Sequence, residues 1–351
     1  MFELSLSRAQ LLSASFLQQL LENDKLNQFV ITQQRLLSMQ KLRDSSSSKV
    51  ELAQTATTHK LVAFTEGLNL QHLLELEKRL STILSIVNWH VVQVTGVAGF
   101  ACVAKVVLLN QSATKVALEQ VATQLSIELC LIDKVPSLTE PGLLLMDMDS
   151  TVIACECIDD IATLAGVGAE VSAVTAQAMQ GKLDFAQSLR TRVACLTNAD
   201  QAILQQVRDG LPLMPGVTNL VKVLKQYHWK LAIASGGFTY FADYLAERLA
   251  LDAAVANKLE IVDGKLTGQV EGGIIDAQIK AQTLLALAEQ WAIPHNQTIA
   301  MGDGANDLVM MAAASLGVAL HAKPIVRQQA DISIRRGGLD ALLWILTAGT
   351  L

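Results

Sequence analysis

The 351 residues include 27 Lys and Arg against 33 Asp and Glu, a formal net charge of −6, and are 51% hydrophobic, 17% charged and 4% aromatic. Such a balance excludes an intrinsically disordered chain. It also excludes a binder that grips nucleic acid through clustered basic residues, and the length suits two domains. With so few aromatics the cores must be Ala, Leu, Val and Ile, which favours helices packed on a parallel sheet.

The first stretch is Leu- and Gln-rich and reads as helical, and Ser45–Ser48 reads as a solvated loop. From Asn69 to Leu84, apolar residues recur at helical spacing (Leu70, Leu73, Leu74, Leu76, Leu80, Ile83, Leu84), and Asn69 can cap the start. Trp89–Val94 and Phe100–Asn110 read as strands, Thr114–Leu125 as a helix and Ile127–Ile132 as a strand. That order predicts an α+β domain over residues 1–135. Val91–Leu109 is the most hydrophobic stretch, but Gln93, Gly96, Gly99 and Lys105 interrupt it, so two strands are expected rather than a membrane span. No chemical motif stands out in this domain. A regulatory or dimerising role, with a possible homodimer through it, is the expectation.

Lys134–Pro141 carries two prolines and reads as a linker. Charge shifts there too: residues 1–140 hold 12 basic and 12 acidic side chains, so the whole net charge of −6 lies beyond it. A second domain is expected over 141–351. Its apolar runs Leu143–Met146, Lys230–Ala234, Thr298–Met301 and Leu316–Leu320 each lead into a turn and a helix, the rhythm of a buried, Rossmann-like parallel sheet. Between Asp159 and Leu211 the pattern is helical throughout, so a helical cap over about 155–212 should sit above the sheet. Asp263-Gly264 reads as a hairpin turn.

Five cysteines, Cys102, Cys130, Cys155, Cys157 and Cys195, form no disulfide framework. Cys155 and Cys157 are too close for a usual zinc pair. Small apolar residues in a reducing compartment are expected. Met1–Asp24 has acidic Glu3, Glu22 and Asp24 and no basic start, so no signal peptide is expected and the location should be cytoplasmic.

The chemistry gathers at strand ends. The first strand runs into Asp147-Met-Asp149-Ser-Thr151, whose alternation turns Asp147 and Asp149 to one side. Two close carboxylates can divide labour, one staying ionised while the other exchanges protons. Taken alone, Asp-x-Asp is more often a solvated acidic turn. The Thr298 run ends in Gly302-Asp303-Gly-Ala-Asn306-Asp307-Leu308. There Asp303 and Asp307 stand four apart; either alone could be only a helix cap. Four carboxylates at the carboxyl edge of a sheet call for a cation, and hard oxygen ligands favour Mg²⁺. The Lys230 run ends in Ser235-Gly236-Gly237-Phe238, a hydroxyl with exposed backbone N–H groups suited to an anion. Lys280 lies on a helix that Asp276 can cap, and a phosphate site this acidic needs a local cation.

In this order the pieces resemble the haloacid dehalogenase-like superfamily of phosphotransferases. Within it the resemblance is to the phosphoserine phosphatases, over about Gly142–Gly338. It is carried by Asp147–Thr151, Glu156, Phe185–Val193, Met214-Pro-Gly216, Ser235–Phe238, Lys280 and Gly302–Leu308. By position, the first domain looks like the extra regulatory or ACT-like domain of some bacterial relatives.

The resemblance implies hydrolysis of O-phospho-L-serine to L-serine and phosphate, the last step of serine biosynthesis. It implies Asp147 as the nucleophile that forms an aspartyl-phosphate and Asp149 as acid and base. It implies Mg²⁺ on Asp147, Asp303 and the backbone carbonyl of Asp149, tuned by Asp307. It further implies phosphate held by Ser235, Gly236 and Lys280, with Asn306 helping. Glu156 would take the substrate ammonium and Arg192 its carboxylate, while Met179 and Phe185 close over its carbon skeleton. Two rivals stand beside this reading: a related phosphatase for another small phosphomonoester, and a signalling receiver that merely holds a phospho-Asp.

Overall fold

The computed structural model describes residues 3–5, 10, 13–21, 28–32, 35–38, 59–112, 114–180 and 182–351. The chain divides into two compact units, Met1–Leu138 with Ile334–Leu351, and Thr139–Ser333. The division falls inside the proline-bearing linker. The last residues, expected in the second domain, group instead with the first unit.

The first unit is an antiparallel α+β structure. Its strands are β1 (Glu3–Ser5), β2 (Gln28–Thr32), β3 (Arg35–Ser38), β4 (His59–Phe64), β5 (Leu84–Val92), β6 (Ala101–Leu108) and β7 (Glu128–Ile132). They form one sheet in the order β1-β3-β2-β5-β6-β4-β7. Its helices are α1 (Ala14–Leu21), α2 (Leu70–Leu80) and α3 (Thr114–Leu125). The opening stretch is therefore not wholly helical, since β1 to β3 flank α1. Ser45–Ser48 lies outside the described residues.

Helix α2 starts where its cap dictates. Asn69 accepts the His72 N–H and the His72 ring accepts the Asn69 N–H, a reciprocal capping box. The helix ends at Leu80 rather than Leu84, because Leu84 and the β-branched and aromatic residues Ile86, Val87 and Trp89 join β5. Leu70, Leu73, Leu76 and Leu80 pack against Leu61, Ala63, Trp89, Cys102 and Ala104 of the sheet. A C-terminal helix, Ala341–Gly349, also belongs to this unit. Trp344 packs on Phe64 with ring centroids 5.2 Å apart. Lys60 Nζ donates to the carbonyls of Ala348 and Gly349 at 2.7 and 3.2 Å, satisfying the helix's last acceptors.

The second unit is a mixed sheet with a helical insertion. Its strands are β8 (Leu143–Met146), β9 (Lys230–Phe238), β10 (Ala253–Val262), β11 (Lys265–Glu271), β12 (Thr298–Gly302), β13 (Leu316–Leu320) and β14 (Ile332–Ile334), in the order β11-β10-β9-β8-β12-β13-β14. Neighbours from β10 to β13 pair in parallel, and β11 closes one edge as the antiparallel arm of the Asp263-Gly264 hairpin. Five helices follow β8 before the next strand, and the first four form the insertion: α4 (Cys157–Leu164), α5 (Gly168–Met179), α6 (Phe185–Ala194) and α7 (Ala202–Asp209). Then come α8 (Val217–Gln226), α9 (Thr239–Leu249), α10 (Ala277–Gln290), α11 (Leu308–Ala313) and α12 (Pro324–Gln329). Leu143, Leu145, Ala232, Ala234, Ala300 and Ala319 bury one sheet face against Leu284, Leu287, Met310 and Met311. Small residues on the strands let the helices approach closely, which explains the aliphatic composition.

From β8 the chain moves outward one way through β9 and β10, then resumes on the other side with β12 and β13. The sheet order thus reverses beside β8. Open α/β sheets collect their ligands at the carboxyl edge of such a reversal.

Candidate active site

Strand register assembles the site. Met146 of β8 pairs with Met301 of β12 and with Ile233 of β9. The chain leaves those three rungs as Asp147, Asp303 and Ser235. Asp147 N–H donates to the Met301 carbonyl at 2.9 Å, holding the nucleophile candidate to the neighbouring strand.

After Asp147 the chain folds tightly. Ser150 sits in the left-handed region at φ 56°. The Val152 N–H returns to the Met148 carbonyl at 2.8 Å. The turn brings Asp149 Oδ1 to the Cys157 N–H at 3.0 Å, at the start of α4, where a carboxylate is favoured. Ser150 Oγ donates to Glu156 Oε1 at 2.8 Å. Thr151, fully buried, donates to Asp303 Oδ1 at 3.4 Å.

Lys280 is 1% exposed and its Nζ donates to Asp147 Oδ1 at 2.7 Å and Asp307 Oδ1 at 2.8 Å. Burial alone would lower its pKa; the charges of Asp147 and Asp307 outweigh that and hold it above the usual lysine range. Asp307 Oδ2 accepts the Gly304 N–H at 3.0 Å. Asp307 stands at the start of α11 but its side chain makes no cap bond to that helix; its carboxylate instead bridges Lys280 and the β12 turn. Asp276 does cap α10, accepting the Gln278 and Ile279 N–H groups.

The acid groups are crowded. Asp149 is pushed up to about 7 by burial of its carboxyl, by Glu156 and, more weakly, by Asp147. Asp303 is likewise pushed up to about 7 by burial and by the charges of Asp147 and Asp307. Oxygens of Asp147, Asp303 and Asp307 lie within 4.8 Å of one another. Three hard oxygen donors this close fit a divalent cation, and burial together with the neighbouring carboxylate charges raises both Asp303 and Asp307.

Strand β9 runs on through Phe238, so the Ser-Gly-Gly cradle is a strand end rather than the expected turn. Ser235 Oγ accepts the Gly237 N–H at 2.9 Å, which leaves its proton free to donate. A Cβ on Gly236 would stand 2.5 Å from Phe185 Cζ, and one on Gly237 would stand 2.7 Å from Asp149 Oδ2. Two glycines are required because the lid helix α6 and the acid both press on this backbone.

A cleft of about 210 Å³ is lined by Asp147, Asp149, Glu156, Phe185, Arg192, Ser235, Gly236, Asp303 and Asn306, together with Ile158, Leu189, Gly237 and Phe238. Arg192 Nε is buried without a hydrogen-bond partner. An unpaired guanidinium nitrogen opposite Glu156 prepares the lid side for a ligand with a negative group. Lys280 lies beneath the cleft, against Asp147. Met179 does not join it: it ends α5 and is 74% exposed. Thr151, Ile158 and Leu189 were not anticipated from the sequence. Leu189 follows Phe185 by one helical turn, a spacing that could have revealed it.

Fold and site together define a hydrolase with a carboxylate at the centre of a parallel sheet and a helical lid above it. The model of the haloacid dehalogenase-like hydrolases matches residues 142–315. A phosphoserine phosphatase of Vibrio cholerae is 57% identical over 230 residues, 66% of this chain and 70% of its own length. The structure of a probable phosphoserine phosphatase from Vibrio cholerae has a TM-score of 0.70 at 45% identity, covering 87% of this chain and 89% of that one. A phosphoserine phosphatase solved as a phospho-aspartyl intermediate analogue has a TM-score of 0.55 at 40% identity, covering 58% of this chain and 98% of that one. The chain belongs to the haloacid dehalogenase-like hydrolases, on the branch that these phosphoserine phosphatases occupy.

Proposed function

We propose that the chain hydrolyses O-phospho-L-serine to L-serine and inorganic phosphate, the step that releases serine in its biosynthesis, through an aspartyl-phosphate on Asp147. The observation that carries the reading is the pairing of two unlike carboxylates. Asp147 faces the Lys280 ammonium at 2.7 Å, while Asp149 is raised to about 7. A nucleophile and a proton donor are thereby separated within three residues.

A carboxylate oxygen of Asp147 attacks phosphorus in line with the serine oxygen. The P–O bond to serine breaks and Asp149 delivers its proton to the departing oxygen. Asp149, now ionised, takes a proton from water as the water attacks phosphorus. The bond between phosphorus and Asp147 breaks and both carboxyl groups return to their starting states. Ser235 Oγ–H, the Gly236 N–H and the third N–H of Lys280 bind the non-bridging oxygens, with Asn306 beside them. Asp147, Asp303 and the carbonyl of Asp149 would hold Mg²⁺, which when bound screens the anionic nucleophile from the anionic phosphate. Asp307 orients Lys280 and the Asp303 turn.

Specificity lies on the lid. Arg192 pairs with the substrate carboxylate, Glu156 with its ammonium, and Phe185 covers the carbons over Gly236. A signalling receiver would need no such lid and no proton donor beside its acceptor. The five free cysteines agree with a cytoplasmic enzyme. Among the described residues no helix is long and apolar enough to cross a membrane. The first unit serves as a regulatory or dimerising unit, which light scattering of the full chain with and without serine tests.

The decisive experiment is a phosphate-release screen over small phosphomonoesters with Mg²⁺, with and without chelator. Phosphoserine should lead the panel, and Asp147→Asn should abolish turnover. A different leading substrate would overturn the specificity, and a stable phosphoprotein without turnover would favour a receiver.

A further inference from the structure

Strand β9 breaks its ladder with β10 at the phosphate cradle. Val255 pairs with Ala234 and Asn257 pairs with Phe238, so a single residue of β10 faces Ser235, Gly236 and Gly237. Those three residues bulge out of the sheet. A bulge frees backbone groups that a regular ladder would have paired, and buried ones need other partners. The freed carbonyl of Gly236 accepts a bond from Asn257 Nδ2 at 2.8 Å. Asn257 is 1% exposed, and its Oδ1 accepts the Ile275 N–H at 2.9 Å. Ile275 directly precedes Asp276, the cap of the helix that carries Lys280.

We infer that Asn257 is a positioning residue that sets the phosphate cradle and the Lys280 helix in register with each other. The inference rests on the phosphatase reading above. Its route is short. The peptide between Gly236 and Gly237 is planar, so a bond to its carbonyl also orients its N–H. That N–H is the group bonded to Ser235 Oγ at 2.9 Å. With this lone pair engaged, the Ser235 proton turns to the cleft. The other arm of Asn257 holds the chain just before α10, five residues ahead of Lys280. One amide thus ties together two of the three groups that would grip the transferred phosphoryl. An aliphatic side chain offers neither bond, and an ionised carboxylate, which only accepts, cannot donate to the Gly236 carbonyl. Asn257 touches no reacting atom.

The test compares wild type, Asn257→Ala and Asn257→Asp in phosphate release and in inhibition by orthovanadate, with melting temperature and circular dichroism recorded alongside. Asn257→Asp keeps the shape and the acceptor for Ile275, and it serves where Asn257→Ala does not fold. Both variants should lose about 10–100-fold in kcat per folded molecule, the usual loss when a supporting hydrogen bond is removed. Vanadate should weaken in parallel. Below neutral pH the carboxyl that Asn257→Asp puts in place of the amide takes up a proton and can again donate to the Gly236 carbonyl. The activity of Asn257→Asp relative to wild type should therefore rise as pH falls. A lower melting temperature with unchanged kcat, unchanged vanadate inhibition and a pH-independent activity ratio would overturn the inference and leave Asn257 a packing residue. A wild type that releases no phosphate would overturn the phosphatase reading instead.

Discussion

Lys280 Nζ and Asp147 Oδ1 stand 2.7 Å apart although 133 residues separate them in the chain. Both side chains are almost fully buried, and Asp307 completes the triad from the other side at 2.8 Å. A charged pair out of water is costly to assemble and costlier to break, because the survivor stays buried and unpaired.

Lys280→Met should therefore abolish turnover and also destabilise the second unit by about 3–5 kcal/mol, as breaking a buried ion pair does. Denaturant melts of the full chain measure it. A stability equal to wild type would mean that Asp147 and Asp307 do not rely on the lysine.

Without a divalent ion, stability should fall as pH rises. Asp149 and Asp303 each titrate near 7 in the fold, above the ordinary 3.8. Between those values the unfolded chain is deprotonated while the folded chain keeps its protons, so the gain is full below about pH 4 and is lost through pH 7. Adding Mg²⁺ should flatten that slope by giving the carboxylates a partner. Thermal melts from pH 5 to 8, with and without chelator, check both signs.

The specificity pair should separate substrate from chemistry. Glu156→Gln and Arg192→Ala should raise KM for phosphoserine about 10- to 100-fold, the size of a lost charge-assisted bond. An aryl phosphate, which lacks both charges, should be cut far less. Equal losses on both substrates would point to another phosphomonoester.

Gly236→Ala should collide with the lid, since its new Cβ would meet Phe185 Cζ at 2.5 Å. Activity should drop at least tenfold, and the double variant with Phe185→Ala should recover part of it. Steady-state kinetics on the four proteins of this cycle decide whether the two sites interact.

Cutting the chain after Gly338 removes the helix Ala341–Gly349, with buried Leu342, Leu343, Ile345 and Leu346 and the Trp344 contact to Phe64. The first unit should lose its cooperative melt. A retained transition would show that this helix is dispensable for it.

Much of the protein was legible in its order of residues. The cap at Asn69, the hairpin at Asp263-Gly264 and the apolar runs β8, β12 and β13 depend on neighbours a few positions away, where periodicity and local hydrogen bonding decide. The Asp147 and Asp303 turns were visible for the same reason, since each follows directly from its own strand, and the Ser235 cradle was visible by its residues although it is a strand end and not a turn. The lid helices were visible because no strand pattern interrupts them. What local pattern could not reveal is which distant groups meet. Packing of the whole sheet seats Lys280 on Asp147 and Asp307, turns Asp307 from a possible cap into a bridge, and leaves Met179 outside the cleft. Tertiary structure alone also extends β9 through its cradle, recruits Asn257 to the bulge and returns the C-terminal helix to the first unit. Each of these outcomes is set by contacts between segments far apart in the chain, whose free energy is realised only when the cores close.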